Sequence, residues 1–228
     1  MPAPDPAVTG RLVLVAGATS ASGLAAARGL RGAGARVVAV GRDAERLTAL
    51  GVAVPDLHTE VCDLTDEDAV TALAERVHAS EGAVDGVLHL VGGWRGGGGL
   101  AGQTDADYRF LESSFTALRH VSRTFDADLR ASGAARLAVV SSTAVARPLA
   151  GGANYAAVKA ATEAWARAVA QGFAKDARDA GRPLSAASTV FRVKTLAGLE
   201  DALARAYVGL WDADAASVND TIIDLAGS

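Results

Sequence analysis

"RLVLVAGATSASGLAAARGLRGAGARVVAVG", residues 11–41, is the stretch that decides the fold. Its first part, "RLVLVAG" (11–17), is a short apolar run closed by glycine and reads as a β-strand. "SGLAAARGLRGAGA" (22–35) reads as a helix ending in glycines, and "RVVAVG" (36–41) as a second strand. The turn between strand and helix, "AGATSASG", sets Gly17 and Gly23 six residues apart with Ala21 between them. Outward from there the alternation continues. "DAERLTAL" (43–50) is a short helix with Asp43 as N-cap, "LHTEVCD" (57–63) a third strand, and "DEDAVTALAERVHAS" (66–80) helical. "DGVLHLVGG" (85–93) is a fourth, nearly all-apolar strand. A long amphipathic stretch over 105–131 leads to a strand at 135–142, and another over 153–179 leads to one at 184–191. A last helix over 199–211 precedes a strand at 221–225.

Seven strands alternating with six helices, the strands apolar on both faces, predict a doubly wound α/β domain: a seven-stranded parallel sheet covered by helices on each side. In such sheets ligands bind beyond the carboxyl ends of the strands, at the switch point beside the first one. The loops at 17–23, 41–43, 63–64, 92–95, 141–143 and 191–195 are therefore the candidate site. With 228 residues, 50% of them hydrophobic, the chain suits one domain over 1–228, with a flexible segment at 1–9. A formal net charge of −4 without a basic stripe or acidic tail points away from nucleic acid and membrane surfaces and toward a small-molecule partner. The single cysteine, Cys62, excludes an intrachain disulfide, and no apolar run approaches the length of a bilayer span; both suit the cytoplasm. No metal-ligand pattern is evident.

A glycine turn before a helix lets the backbone approach a pyrophosphate and offers helix N-terminal N–H groups to its charge. The second strand then ends "VGRD" rather than in an acid. Gly41 leaves space and Arg42 can grip a 2′-phosphate, which favours NADP(H) over NAD(H), with Asp43 turned to its helix as a cap and Ser20 adding a weaker contact. Asp63 has two readings of equal weight, an acceptor for an adenine amino group or a cap on the following helix. In "NYAAVKAA" (154–161), Tyr155 and Lys159 stand at i, i+4 on one helix face, so an ammonium lies near a phenol. A cation there favours the phenolate and acid–base use. Ser142, at the end of a strand thirteen residues earlier, can bind a carbonyl oxygen opposite the phenol. Ser141 competes for that role, and Thr143 more distantly.

In this order and spacing Gly17 to Gly23, Asp63, Ser142, Tyr155 and Lys159 resemble the short-chain dehydrogenase/reductase family, over essentially the whole chain and in its shorter, single-domain branch. The resemblance implies a Rossmann domain in which hydride passes between a nicotinamide and a carbonyl or alcohol. Tyr155 is then the acid in reduction and the base in oxidation. Lys159 lowers its pKa and binds the nicotinamide ribose, and Ser142 polarises the carbonyl. Cofactor contacts are implied for Gly17, Ser20, Ala21, Ser22, Gly23, Arg42, Asp63, Leu64, Gly92, Val193 and Thr195, besides Tyr155 and Lys159. A homodimer or homotetramer follows by the same analogy.

Four departures mark the chain as a divergent member. Ala21 stands for the middle glycine, and His89-Leu90-Val91-Gly92 for Asn-Asn-Ala-Gly. Ser114 stands where an asparagine supports a proton relay to the catalytic lysine. The Pro-Gly after the sixth strand is missing, which shortens the substrate lid and leaves an open site with Trp94, Arg95, the Gly96 to Gly99 run, Arg147 and Phe191 as candidate rim. These departures also motivate a second reading, a cofactor-binding sensor or interaction subunit with weak redox activity. A non-redox enzyme on the same scaffold has no positive motif.

Overall fold

The computed structural model describes residues 7–225. The strands are β1 (Leu12–Ala16), β2 (Arg36–Gly41), β3 (His58–Val61), β4 (Gly86–His89), β5 (Arg136–Ser142), β6 (Ala187–Val193) and β7 (Thr221–Asp224). They form one sheet, all pairs parallel, in the order β3-β2-β1-β4-β5-β6-β7. The helices are α1 (Ala21–Gly32), α2 (Ala44–Ala53), α3 (Glu67–Ser80), α4 (Asp105–Thr124), α5 (Asp126–Ala131), α6 (Ala153–Asp179), α7 (Glu200–Gly209) and the single turn α8 (Ala215–Val218).

The alternation of side chains along β1 divides the interior into two layers. Leu12, Leu14 and Ala16 pack with Val70, Leu73, Leu118, Val121 and Phe173 under α3, α4 and α6. Val13 and Val15 pack with Ala26, Leu30, Leu47, Leu203 and Tyr207 under α1, α2 and α7. Because β2 and β4 flank β1 on opposite sides, the chain reverses its winding at β1, and a crevice opens there above the carboxyl ends of the strands.

Several expectations shift. Only the inner strands are apolar on both faces: β3 and β7 lie at the sheet edges and alternate half-buried with exposed positions. The helix expected over 105–131 is two, divided at Phe125, whose ring is fully buried while its backbone leaves helical geometry (φ −96°, ψ 9°). The fourth strand stops at His89, which frees Leu90 and Val91 to line the crevice; the sixth begins later, at Ala187, and runs on to Val193. Of the segment expected to be flexible, residues 1–6 lie outside the described residues, and Val8 is buried within a turn closed by the Arg11 N–H on its carbonyl (3.0 Å). Among the described residues no helix is long and apolar enough to cross a membrane.

Candidate active site

Two cavities run along the carboxyl edge of the sheet and share Leu90 and Val91 as lining. The smaller, 290 Å³, is bounded by Gly17, Thr19, Ser20, Gly41, Arg42, Arg46, Asp63, Leu64, Gly92 and Ser114 among others. The larger, 970 Å³, takes in His89, Trp94, Ser142, Arg147, Leu149, Tyr155, Lys159, Val193, Lys194 and Thr195.

The glycine turn is built by close backbone approaches. Gly17 has φ +84°, and a Cβ on it would lie 2.8 Å from the Val91 nitrogen, so the turn is pressed against the chain leaving β4. A Cβ on Gly23 would lie 2.1 Å from the Ala18 carbonyl oxygen. Ala21 starts α1, Ser22 and Gly23 are buried in its first turn, and the residues leading into it, Gly17, Thr19 and Ser20, line the smaller cavity. Ser20 is the N-cap: its hydroxyl accepts from the Gly23 N–H (3.1 Å) and donates to the Gly17 carbonyl (3.3 Å). Its oxygen thus serves the turn.

Arg42 stands at the cavity as expected, and Arg46 joins it there. Sequence reasoning missed Arg46; the available signal was its place in the first turn of α2, beside the cap. Asp43 does cap α2, accepting from the Arg46 N–H (3.0 Å), and its other oxygen lies 3.4 Å from the Arg46 Nε. Gly41 is needed for more than space toward a ligand, since a Cβ on it would meet the Thr19 methyl at 2.8 Å. Asp63 does not cap α3; Asp66 does. Asp63 instead accepts from the Thr65 N–H (3.0 Å) and hydroxyl (2.7 Å), bonds that together with the nearby Arg42 hold its pKa below the ordinary value. Leu64 is buried, with its carbonyl 3.2 Å from the His120 Nδ1.

The larger cavity separates the two serines. Ser141 is fully buried and donates to Glu163 Oε1 (2.6 Å), which is also held by Arg192 (2.9 Å between Nη2 and Oε2). Ser142 lines the cavity, its hydroxyl accepting from the Ala144 N–H (3.2 Å), and it lies near enough to the Tyr155 phenol to draw that pKa down, while burial pushes it up by more. The Tyr155 pKa is raised on balance, and the Lys159 ammonium donates to the Val140 carbonyl (2.8 Å) and sits 5.8 Å from the phenol ring centre. Burial pulls Lys159 down to about 8. A Cβ on Gly92 would lie 3.8 Å from that ammonium, so Gly92 and Lys159 meet where the two cavities join.

Ser114, on α4, lines the smaller cavity. Its hydroxyl turns back to the Leu111 carbonyl (2.7 Å) on its own helix, a bond that serine's short side chain makes readily. Its carbonyl faces His89 Nε2 at 3.0 Å. A nitrogen facing a carbonyl must carry a proton, and burial takes the His89 pKa down to about 4, so at neutral pH the ring is uncharged and its buried Nδ1 has no hydrogen-bond partner among the described residues. The rim also changes. Trp94 and Arg147 line the cavity, whereas Phe191 is fully buried in the core and Arg95 lies over the Phe110 ring at 4.1 Å.

A family model described as short chain dehydrogenase matches residues 11–177. An uncharacterized oxidoreductase of Mycobacterium tuberculosis is 34% identical over 93 residues, 38% of this chain and 27% of that one. The chain therefore matches little more than a quarter of that relative's length. Among solved structures, an NADPH-bound short-chain oxidoreductase of Pseudomonas aeruginosa PAO1, described as having an atypical catalytic centre, superposes with a TM-score of 0.80 at 24% identity, covering 96% of each chain. L-Sorbose reductase from Gluconobacter frateurii, complexed with NADPH and L-sorbose, gives 0.84 at 18% identity and 98% of each chain. At these identities the two structures establish the shared fold.

Proposed function

Since the chain belongs to the short-chain dehydrogenase family and is thereby an NAD(P)-dependent oxidoreductase, we propose that it is an NADP(H)-dependent carbonyl reductase or alcohol dehydrogenase whose acid–base group is Tyr155. The observation that carries this reading is the meeting of the Tyr155 phenol, the Ser142 hydroxyl and the Lys159 ammonium in one cavity next to Gly92. The smaller cavity suits a dinucleotide: a helix N-terminus at a glycine turn for the pyrophosphate, Asp63 at the end of β3, and two arginines for a 2′-phosphate. Val193 and Thr195 reach the same groove from β6, beside Tyr155 and Lys159.

When bound, the nicotinamide supplies or accepts the hydride at the substrate carbon. The chain's own part is the proton. Ser142 donates to the carbonyl oxygen and polarises it. Tyr155, kept protonated by burial, passes its proton to that oxygen as the carbon becomes tetrahedral, and the Lys159 ammonium stabilises the phenolate left behind. Reversal of these steps oxidises an alcohol. Titration with NADPH and NADH followed by a carbonyl panel tests the reading. Tyr155→Phe should lower turnover by about a hundredfold or more while leaving NADPH binding within a few-fold. Strong NADPH binding with no hydride transfer to any carbonyl would favour the sensor reading instead. The reading extends to a cytoplasmic homodimer or homotetramer, checked by sedimentation.

A further inference from the structure

The glycine run after Trp94 is packed, not loose. Gly97, Gly98 and Gly99 have φ of +123°, +65° and +63°, and the Gly97 N–H donates to the Gly151 carbonyl at 2.7 Å. A Cβ on Gly96 would lie 2.4 Å from that same carbonyl oxygen and 3.1 Å from the Trp94 ring; one on Gly102 would lie 2.7 Å from the Gly97 oxygen. Only glycine permits these approaches, and the lobe they make backs Trp94, which lines the substrate end of the groove.

One side chain fastens this lobe to the catalytic helix. The Gln103 Nε2 group lies 3.1 Å from the Gly97 carbonyl, 3.3 Å from Gly99 and 3.0 Å from Gly151, and its Oε1 accepts the Asn154 N–H at 3.1 Å. The amide orientation is dictated by its partners, three acceptors on one side and a donor on the other. α6 has no side-chain N-cap of its own: Gly152 stands at that position. Gln103 therefore satisfies, from 51 residues away, one of the orphan N–H groups in the turn that carries Tyr155. The Asn154 side chain adds a bond to the Thr104 carbonyl (3.3 Å).

We propose that Gln103 is a positioning residue for the reaction, holding the Trp94 wall and the Tyr155 turn in one fixed relation, so that a substrate seated on the wall meets the proton donor in register. The proposal rests on the reading of this groove as the active site.

Two variants divide the bonds. Gln103→Glu is nearly isosteric and keeps an acceptor for the Asn154 N–H, but loses the donors to the three lobe carbonyls. Gln103→Leu loses both sets. With diacetyl and phenylglyoxal as carbonyl probes, Gln103→Glu should raise KM about tenfold with kcat within about twofold. Gln103→Leu should raise KM and also lower kcat about tenfold, and NADPH affinity should hold in both. Amide hydrogen exchange supplies a readout that needs no substrate: exchange at 96–99 should accelerate in both variants, and at 154–156 only in Gln103→Leu. Unchanged exchange in both segments would overturn the clamp even if no probe is reduced, which would count separately against the oxidoreductase reading. Kinetic constants unchanged in Gln103→Leu, or kcat and NADPH affinity falling together with the melting temperature in both variants, would overturn the positioning role.

Discussion

His89 shows how much a single buried side chain decides. It is buried at the end of β4, its Nε2–H given to the Ser114 carbonyl, and both burial and the nearby Lys159 charge keep it neutral. Its folded pKa of about 4 lies below the unfolded value, so the unfolded chain takes up the proton first as pH falls. Stability should drop by about 3 kcal/mol between pH 6.5 and 4 on this account, and His89→Asn should flatten that part of the curve in urea titrations across pH. Lys159 gives a second titration, in activity. With a pKa of about 8 its ammonium is lost at mildly alkaline pH, so kcat/KM for reduction should fall as pH rises through 8, measured with saturating NADPH. At this scale the sequence was partly legible. Tyr155 and Lys159 could be placed on one face by helix spacing and Ser142 at a strand end, while the roles proposed for all three came from the family resemblance. That Ser141 turns to Glu163, and that Ser114 bonds its own helix, depends on rotamers and on partners more than twenty residues away or on the opposite face, which no local pattern encodes.

Among the elements, the turn from β1 into α1 carries the tightest constraint. A Cβ on Gly23 has nowhere to go, being 2.1 Å from backbone. Gly23→Ala should therefore cost about 2 kcal/mol or more of stability and weaken NADPH binding with it, both read by thermal shift with and without NADPH. The second strand's end makes a contrasting case, because Arg42 is exposed at the cavity mouth. Arg42→Ala should leave stability nearly unchanged and weaken NADPH about tenfold or more while sparing NADH, by fluorescence titration. Strands and helices in the middle of the sheet were readable because burial on both faces leaves a continuous apolar run. The edges were not. β3 and β7 are short and half exposed, and the break at Phe125 comes from a ring drawn into the core within an otherwise helical pattern.

Across the whole molecule, β5 has a different duty at each end. At its start Arg136 is buried, its guanidinium donating to the carbonyls of Leu210 (2.7 Å), Ala135 (2.9 Å), Ser185 (3.0 Å) and Ala213 (2.8 Å), with the Tyr207 hydroxyl on its own carbonyl (3.0 Å). Arg136→Met would strand those acceptors and should cost about 3 kcal/mol or more in chemical denaturation, without altering NADPH affinity at the far edge. At its end Ser142 faces Tyr155. The buried Arg136 anchor and the proposed site thus lie at opposite rims of one sheet, six residues of strand apart. The practical consequence lies in how the protein can be altered. Arg147, Leu149 and Lys194 line the larger cavity from exposed positions on short connections, so a library randomised at those three positions would vary the proposed substrate pocket while drawing almost nothing from the core packing that secures the fold.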